Sequence, residues 1–231
     1  MDQQIKILVV EDDNDINKLL CDIIRNSGYI PHSAYSGTEA MIYLEKQKWD
    51  MVLLDLMLPG MTGEEILAKI SEKTLVPVII ISAKGELQAK IDALKTGADD
   101  YITKPFQIEE VSARIDSHIR RFRRISQASF QGKELIYKDI WLDMNSQIVR
   151  VNGTELILTA REYAILTLLM SSPKKVFTKA NLFESVWNEK YYRDDNTISV
   201  HMSNLRSKLS NANPYEEYIE TVWGVGYKLK S

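Results

Sequence analysis

Cysteine is almost missing from this sequence: Cys21 is the one thiol in 231 residues. That excludes an internal disulfide and suits a reducing cytoplasm. Cys21 lies among apolar residues at helical spacing, so packing is its expected role. Long hydrophobic runs are missing too. No stretch approaches the ~18 apolar residues that a membrane helix needs, and the opening Met-Asp-Gln-Gln-Ile-Lys is no secretion signal, so no membrane partner is expected. An excess of positive charge is also lacking. The formal net charge is −3, which by itself argues against a nucleic-acid binder. Dividing at Arg124, however, leaves 16 basic and 20 acidic residues before the cut (−4) and 13 basic and 12 acidic after it (+1). The total hides this mild asymmetry. What is present is ordinary: 45% hydrophobic and 26% charged residues. That is enough for real cores and, at this length, for two domains or one large one.

The segment Met51 to Gly60, MVLLDLMLPG, organises the first half. Four apolar residues run into Asp55, and Pro59-Gly60 follow. A short apolar run closed by turn residues predicts a buried strand of a parallel sheet. Asp55 then lies at the strand's carboxyl end, where open α/β sheets bind ligands. A carboxylate on a core strand is costly without a metal or a base beside it; the plain alternative is a solvated acid that starts a loop.

Candidate partners come from the neighbouring segments. Ile5 to Val10 is a second buried-strand run and ends in Glu11-Asp12-Asp13. Ile16, Leu19, Leu20, Ile23 and Ile24 recur at the spacing of an amphipathic helix, which Gly28 stops. A weaker strand (30–35) and helices over 38–47 and 64–72 are predicted next, then a strand over 77–82 that closes on Ser82. A helix over 86–95, a short strand over 101–103, Lys104-Pro105 and a helix from Gln107 to about Arg121 complete the set. This βα alternation, five times over, predicts a parallel sheet with helices on both faces. Glu11, Asp12, Asp13, Asp55, Ser82 and Lys104 then converge on one crevice. Clustered carboxylates need a cation, and oxygen ligands at low count suit Mg²⁺. The lysine and the hydroxyl remain for phosphoryl oxygens. The set predicts an aspartate that accepts a phosphoryl group beside a metal. Taken singly, Ser82 could be a strand-end cap, Tyr101 a half-buried aromatic and Lys104 a surface charge.

In the settings VVEDD, LLDLMLPG, IIISAKG and GADDYITKPF, these residues resemble the receiver domain of bacterial two-component response regulators, over Ile5 to Arg121. The resemblance implies phosphorylation of Asp55 by a sensor histidine kinase. It assigns Mg²⁺ to Asp12, Asp55 and the backbone carbonyl of Met57, with Glu11 acting through water. It places Lys104 and Ser82 on the phosphoryl oxygens, makes Tyr101 the aromatic that turns inward on activation, and implies a cis Lys104-Pro105 bond. Met57 and Lys84 flank the path of attacking water, and a thioether is a poor partner for it, so a long-lived phosphoaspartate is expected. The charged face of Lys90, Lys95, Asp99, Asp100, Glu110, Arg114 and Asp116 is by default solvated. In the OmpR/PhoB subfamily the corresponding face forms a twofold dimer after phosphorylation. Lys90–Glu110 and Asp100–Arg114 would then cross between subunits around Ile91 and Leu94, with Ser112 where a small apolar residue is usual.

Arg120 to Arg124 and the polar segment after it read as a domain boundary. Beyond it, short strands alternate over 134–157 with a turn at Asn152-Gly153. Thr159 and Glu162 form a capping box for a helix with the apolar stripe Tyr163, Leu166, Leu169 and Met170. A second helix is expected from Lys179 to Trp187. In the helix over 196–209, Ile198, Met202, Leu205 and Leu209 form a buried stripe. The opposite face offers Val200, Ser203, Asn204 and Ser207, flanked by His201, Arg206 and Lys208, with no acid after Asp195. A helix in a major groove requires that lack of acid.

LTAREYAIL, DNTISVHMSNLRSKL and TVWGVGYKL resemble the winged-helix DNA-binding domain of the OmpR/PhoB subfamily. The resemblance puts the helix containing Asn196, Thr197, Val200, His201, Ser203, Asn204, Arg206, Ser207 and Lys208 in the major groove, and the Gly224–Gly226 hairpin tip near the minor groove. Val200 and Asn204 are the expected base readers, and His201, Arg206 and Lys228 the phosphate contacts. Trp223 stands where many members carry arginine and is expected to pack. TVWGVGYK and NTISVH are also similar to segments of regulators of cell-envelope and glycopeptide antibiotic responses.

The expected architecture is α/β, a five-stranded parallel doubly wound receiver sheet (1–121) and a linker (122–131), followed by an α+β winged-helix domain (132–231). The expected function is a cytoplasmic, phosphorylation-controlled transcription regulator. It would dimerise, bind tandem promoter half-sites, meet RNA polymerase, and catalyse nothing beyond its own Mg²⁺-dependent aspartyl phosphorylation and dephosphorylation. A haloacid-dehalogenase-type phosphatase would want an acid where Met57 stands. An FMN carrier would want Ser/Thr- and Gly-rich phosphate loops in place of Glu11-Asp12-Asp13.

Overall fold

The structure is a computed structural model and describes residues 4–127, 134–187, 191 and 197–230, with 121–127 as backbone only. The chain divides into two compact units, 1–119 and 120–231.

In the first unit, strands β1 (Lys6–Val10), β2 (Ile30–Ala34), β3 (Met51–Leu54), β4 (Val78–Ser82) and β5 (Asp100–Thr103) alternate with helices. These are α1 (Asn14–Asn26), α2 (Gly37–Lys46), α3 (Gly63–Lys73), α4 (Leu87–Thr96) and α5 (Ile108–Gln127). The sheet is parallel, in the order β2-β1-β3-β4-β5. Burial on both faces explains why β1, β3 and β4 read as unbroken apolar runs rather than alternating ones. Ile7, Val9, Met51, Leu53, Ile79, Ile81 and Ile102 pack with Leu20, Ile23 and Ile24 of α1 and Val111, Ile115 and Ile119 of α5. The intervening strand residues point to the other face by the period of two, where Ile66, Leu67 and Ile70 of α3 are buried. Asp13 caps α1 by accepting from the amides of Asp15 and Ile16. Helix α5 runs past the expected end near Arg121; no glycine or proline interrupts the chain between Pro105 and Gly132. Residues 128–131 of the expected linker lie outside the described residues.

In the second unit, β6 (Glu134–Tyr137), β7 (Ile140–Asp143), β8 (Ile148–Val151) and β9 (Thr154–Glu155) form an antiparallel meander. Positive φ at both Asn152 and Gly153 makes the predicted two-residue turn between β8 and β9. Helix α6 (Ala160–Ser171) carries the Thr159/Glu162 capping box. It is followed by β10 (Phe177–Thr178), α7 (Lys179–Trp187), α8 (Thr197–Ala212), β11 (Ile219–Val222) and β12 (Gly226–Leu229). The last strands form a sheet in the order β10-β12-β11. Ile198, Met202, Leu205 and Leu209 of α8 are each at most 1% exposed. That stripe was legible in the sequence. Helix α8 packs against both α6 and α7, however, so its buried arc is wider than one stripe.

Candidate functional site

The carboxyl ends of four neighbouring strands, β1, β3, β4 and β5, build the crevice. The Asp55 amide donates to the Val10 carbonyl at 3.0 Å, which fixes the end of β3 beside the end of β1. The Lys104 amide donates to the Ser82 carbonyl at 2.9 Å, which fixes β5 beside β4. Asp55 is 5% exposed and Glu11 2%. Lys104 Nζ donates to Asp55 Oδ2 and to Glu11 Oε2, each at 2.7 Å. Asp55 Oδ1 accepts from the Met57 amide at 2.9 Å. Glu11, Asp12 and Asp55 each place a carboxylate oxygen within 4.8 Å of the others. Burial pushes the Glu11 carboxyl above its ordinary value, and the Asp55 charge adds to this, against the opposing pull of Lys104. Burial alone would pull the Lys104 ammonium down, but its hydrogen bonds to Asp55 and Glu11 carry it above its ordinary value.

This donor set fits a small divalent cation. Three carboxylates against one ammonium leave negative charge in excess in a largely buried site. Asp12 stays exposed at the crevice mouth, and all side-chain donors are hard oxygens. Ser82 is fully buried at the end of β4, and the Lys84 amide reaches its hydroxyl at 3.5 Å. Tyr101 is turned inward, 5% exposed, and its hydroxyl donates to the Lys84 carbonyl at 2.5 Å. Met57 is 54% exposed beside the acceptor. Lys84 is held by Glu64 at 2.7 Å. The Lys104-Pro105 bond is cis.

Two contributors escaped the sequence reading. A Cβ on Gly63 would stand 2.2 Å from the Asp55 carbonyl oxygen and 2.5 Å from Leu56 Cα, so the start of α3 touches the backbone that carries the acceptor. The signal, a glycine just inside a helix after the cap Thr62, was present. Glu64, the partner of Lys84, follows it.

The charged face of α4, β5 and α5 departs from expectation. Asp99 is 1% exposed and accepts from the Val78 amide at 2.7 Å; it joins β5 to β4 and cannot serve a dimer surface. Asp100 is also buried, and its carboxylate meets Arg114 at 2.8 Å and His118 at 3.2 Å within the same chain. Asp100 and Arg114, one of the two pairs expected to cross between subunits, thus meet within the same chain. Arg114 also meets Glu110 at 3.1 Å, one helical turn away. Asp116 accepts from the Tyr29 hydroxyl at 2.9 Å, and Ser112 lies 3.1 Å from Ser27. Both face the end of α1, not an outer surface. Leu94 is 3% exposed, whereas Lys90 and Ile91 are half-buried and Lys95 and Glu110 exposed.

On α8, three of the side chains expected to face DNA are buried instead. Thr197, Val200 and His201 are 6%, 8% and 0% exposed, and the His201 ring lies 5.4 Å from that of Trp187 on α7. Packing against a second helix takes up the side that the sequence pattern left for DNA. Asn196 lies outside the described residues. Ser203 and Ser207 are exposed, and Asn204, Arg206 and Lys208 half-buried. Arg206 donates to Thr221 Oγ1 at 2.8 Å, Lys208 meets Glu162 at 2.7 Å, and Lys228 meets Glu220 at 2.7 Å. The outward face runs Ser199, Ser203, Ser207 and Ser210. The partly open Ser199 at its start was missed, although it stands four residues before Ser203. Trp223, expected to pack, is 90% exposed.

Comparison with known proteins agrees with both units. The response regulator receiver domain family matches residues 7–116, and the family described as transcriptional regulatory protein, C terminal, matches residues 153–229. The regulatory protein VanRc of Enterococcus gallinarum is 40% identical over 227 residues, covering 97% of this chain and 98% of its own. The transcriptional regulatory protein ResD of Bacillus subtilis is 37% identical over 236 residues, covering 100% and 98%. A solved point mutant of RitR superposes with a TM-score of 0.84 at 29% identity, covering 98% of this chain and 99% of that one. With a receiver crevice in one unit and a winged-helix reader in the other, this chain belongs to the OmpR/PhoB-type two-component response regulators, which regulate transcription.

Proposed function

We propose that Asp55 is a phosphoryl acceptor and that its modification controls promoter binding by the second unit. The observation that carries this reading is the bridge from Lys104 Nζ to both Asp55 Oδ2 and Glu11 Oε2, 2.7 Å each. An ammonium held there by two buried carboxylates stands ready to pass to phosphoryl oxygens as the Asp55 charge becomes an acyl phosphate. Glu11, Asp12, Asp55 and the Met57 carbonyl would hold Mg²⁺, which offsets negative charge on the transferring group when bound. The donor is the phosphohistidine of a sensor histidine kinase: Asp55 attacks phosphorus and the imidazole leaves. Ser82, beside the acceptor strand, offers its hydroxyl to the modified group, and the inward Tyr101 fixes the loop that carries Lys84. The chain's own catalysis is limited to this phosphorylation and its hydrolysis.

Dimerisation follows phosphorylation and rests on Lys90, Ile91, Lys95 and Glu110, the members of the expected face that keep exposed surface, whereas Asp99 and Asp100 are buried. Two linked readers then hold tandem half-sites tightly through effective concentration, in the cytoplasm and within reach of RNA polymerase. No helix among the described residues is long and apolar enough to cross a membrane, which fits that setting. Intact mass measured after treatment with acetyl phosphate tests the acceptor. The chain should gain one phosphoryl group only with magnesium present, and Asp55→Asn should gain none. A gain that survives Asp55→Asn or chelation would overturn the assignment.

A further inference from the structure

The acidic crevice has a second lysine at its wall. Lys84 stands two positions beyond Ser82, on the loop that leaves β4. Its amide reaches the Ser82 hydroxyl at 3.5 Å, and its carbonyl accepts from the inward Tyr101 hydroxyl at 2.5 Å. The side chain is therefore rooted beside the acceptor. A lysine carries its charge on a flexible four-carbon stem, and the excess of negative charge around Asp55 attracts a second ammonium. Lys84 nevertheless turns elsewhere. Its ammonium meets Glu64 Oε1 at 2.7 Å, across 20 positions of sequence. That hydrogen bond carries the Lys84 ammonium above its ordinary value against the opposing pull of burial, and the Asp55 charge adds to the rise. The ammonium thus lies within the field of the acceptor, yet its hydrogen bond goes to Glu64. Glu64 is itself fixed relative to Asp55. It follows Gly63, where a Cβ would stand 2.2 Å from the Asp55 carbonyl oxygen. The neighbouring Glu65 serves the helix, closing the capping box with Thr62, and Glu64 is left for Lys84. The side chains of Lys84 and Glu64 are 42% and 43% exposed, and an ion pair so open to water adds little to stability. Its effect lies in where it places charge.

We infer that Glu64 is a positioning residue of the metal site: it draws the Lys84 ammonium away from Asp55 and so keeps the acidic crevice open to a divalent cation. Without Glu64, Lys84 turns onto the carboxylates, and its ammonium competes with Mg²⁺ for the same oxygens. Glu64 and the cation are then coupled through Lys84, although Glu64 is no ligand. This inference rests on the reading of Glu11, Asp12 and Asp55 as a Mg²⁺ site.

The unphosphorylated full chain is titrated with magnesium chloride alone, and the NMR shifts of the Asp55 and Met57 amides report binding. Glu64→Gln is expected to bind Mg²⁺ roughly fivefold more weakly, with Tm nearly unchanged because the pair is exposed. The same substitution made on a Lys84→Gln background should alter the affinity by less than about twofold, since no ammonium remains to be released and the direct field of Glu64 is screened by salt. A merely structural role for Glu64, or the loss of its bare charge, would weaken binding on both backgrounds alike. Equal weakening on the two backgrounds, or none on either, would therefore overturn the inference while leaving the metal site in place. An unmodified chain whose shifts ignore magnesium would instead remove the metal site, and the inference with it.

Discussion

Met57 sits 54% exposed beside the acceptor, with only its amide engaged, by Asp55 Oδ1. A thioether cannot orient an attacking water, whereas a carboxamide at the same place can. Met57→Asn is therefore expected to shorten the phosphoaspartate lifetime by roughly tenfold, about 1.4 kcal/mol off the barrier; an unchanged decay of radiolabelled protein would contradict this. Asp139 supports a prediction about pH. It accepts from the Tyr218 hydroxyl at 2.6 Å and from Asn213 at 2.9 Å. Burial works against its charge, but these hydrogen bonds win and hold its carboxyl below the usual value of 3.8. A carboxyl lowered by folding stabilises the fold above its unfolded pKa, and that contribution is lost as pH falls through the folded pKa. Thermal unfolding of Asp139→Asn should thus show a lower Tm than the unmodified chain at pH 7 and a smaller further loss below about pH 4; parallel curves would contradict the assignment. The acidic cluster and Lys104 were legible in the sequence because strand ends converge in any parallel sheet. The internal use of Asp99, Asp100 and Asp116 was not legible. Each is satisfied by a partner 14 to 87 positions away, such as Arg114 and Tyr29, and local charge pattern carries no trace of that.

At the scale of elements, the first turn of α3 is held against the loop that carries Asp55. Gly63→Ala would force a methyl to within 2.2 Å of the Asp55 carbonyl oxygen, and backbone on both sides has no room to give. Its expected effect is a loss of several °C in Tm together with slower phosphorylation by acetyl phosphate. A rate and Tm equal to those of the unmodified chain would show that the contact is not tight. On α8, Asn204→Ala should cost about 1–3 kcal/mol in DNA binding and relax selectivity at one base position. Equal weakening on all sequences would reassign Asn204 to a phosphate. The apolar stripe of α8 and the capping box of α6 could be read from spacing alone, because they are set within a few residues; the matching box of α3, Thr62 with Glu65, was overlooked. The burial of Val200 and His201 could not. It depends on α7 arriving with Trp187 on a second side of the helix, which no periodicity within α8 encodes. The length of α5 was underread for a related reason: a basic cluster looks like a terminus, although nothing in it breaks a helix.

For the whole molecule, the proposed control point is one buried carboxylate, and the DNA reader that it governs is a separate unit. The two-part organisation was visible as a change from βα alternation to short strands and a second set of caps, and it reappears as a division of the chain into two compact units, 1–119 and 120–231. The central claim is tested most directly by measuring promoter-fragment binding and oligomer size together, by light scattering and anisotropy, with and without acetyl phosphate and magnesium, for the unmodified chain and for Asp55→Ala. Phosphodonor should raise DNA affinity and drive dimer formation in the unmodified chain and change neither in Asp55→Ala. Equal enhancement in both proteins would contradict it.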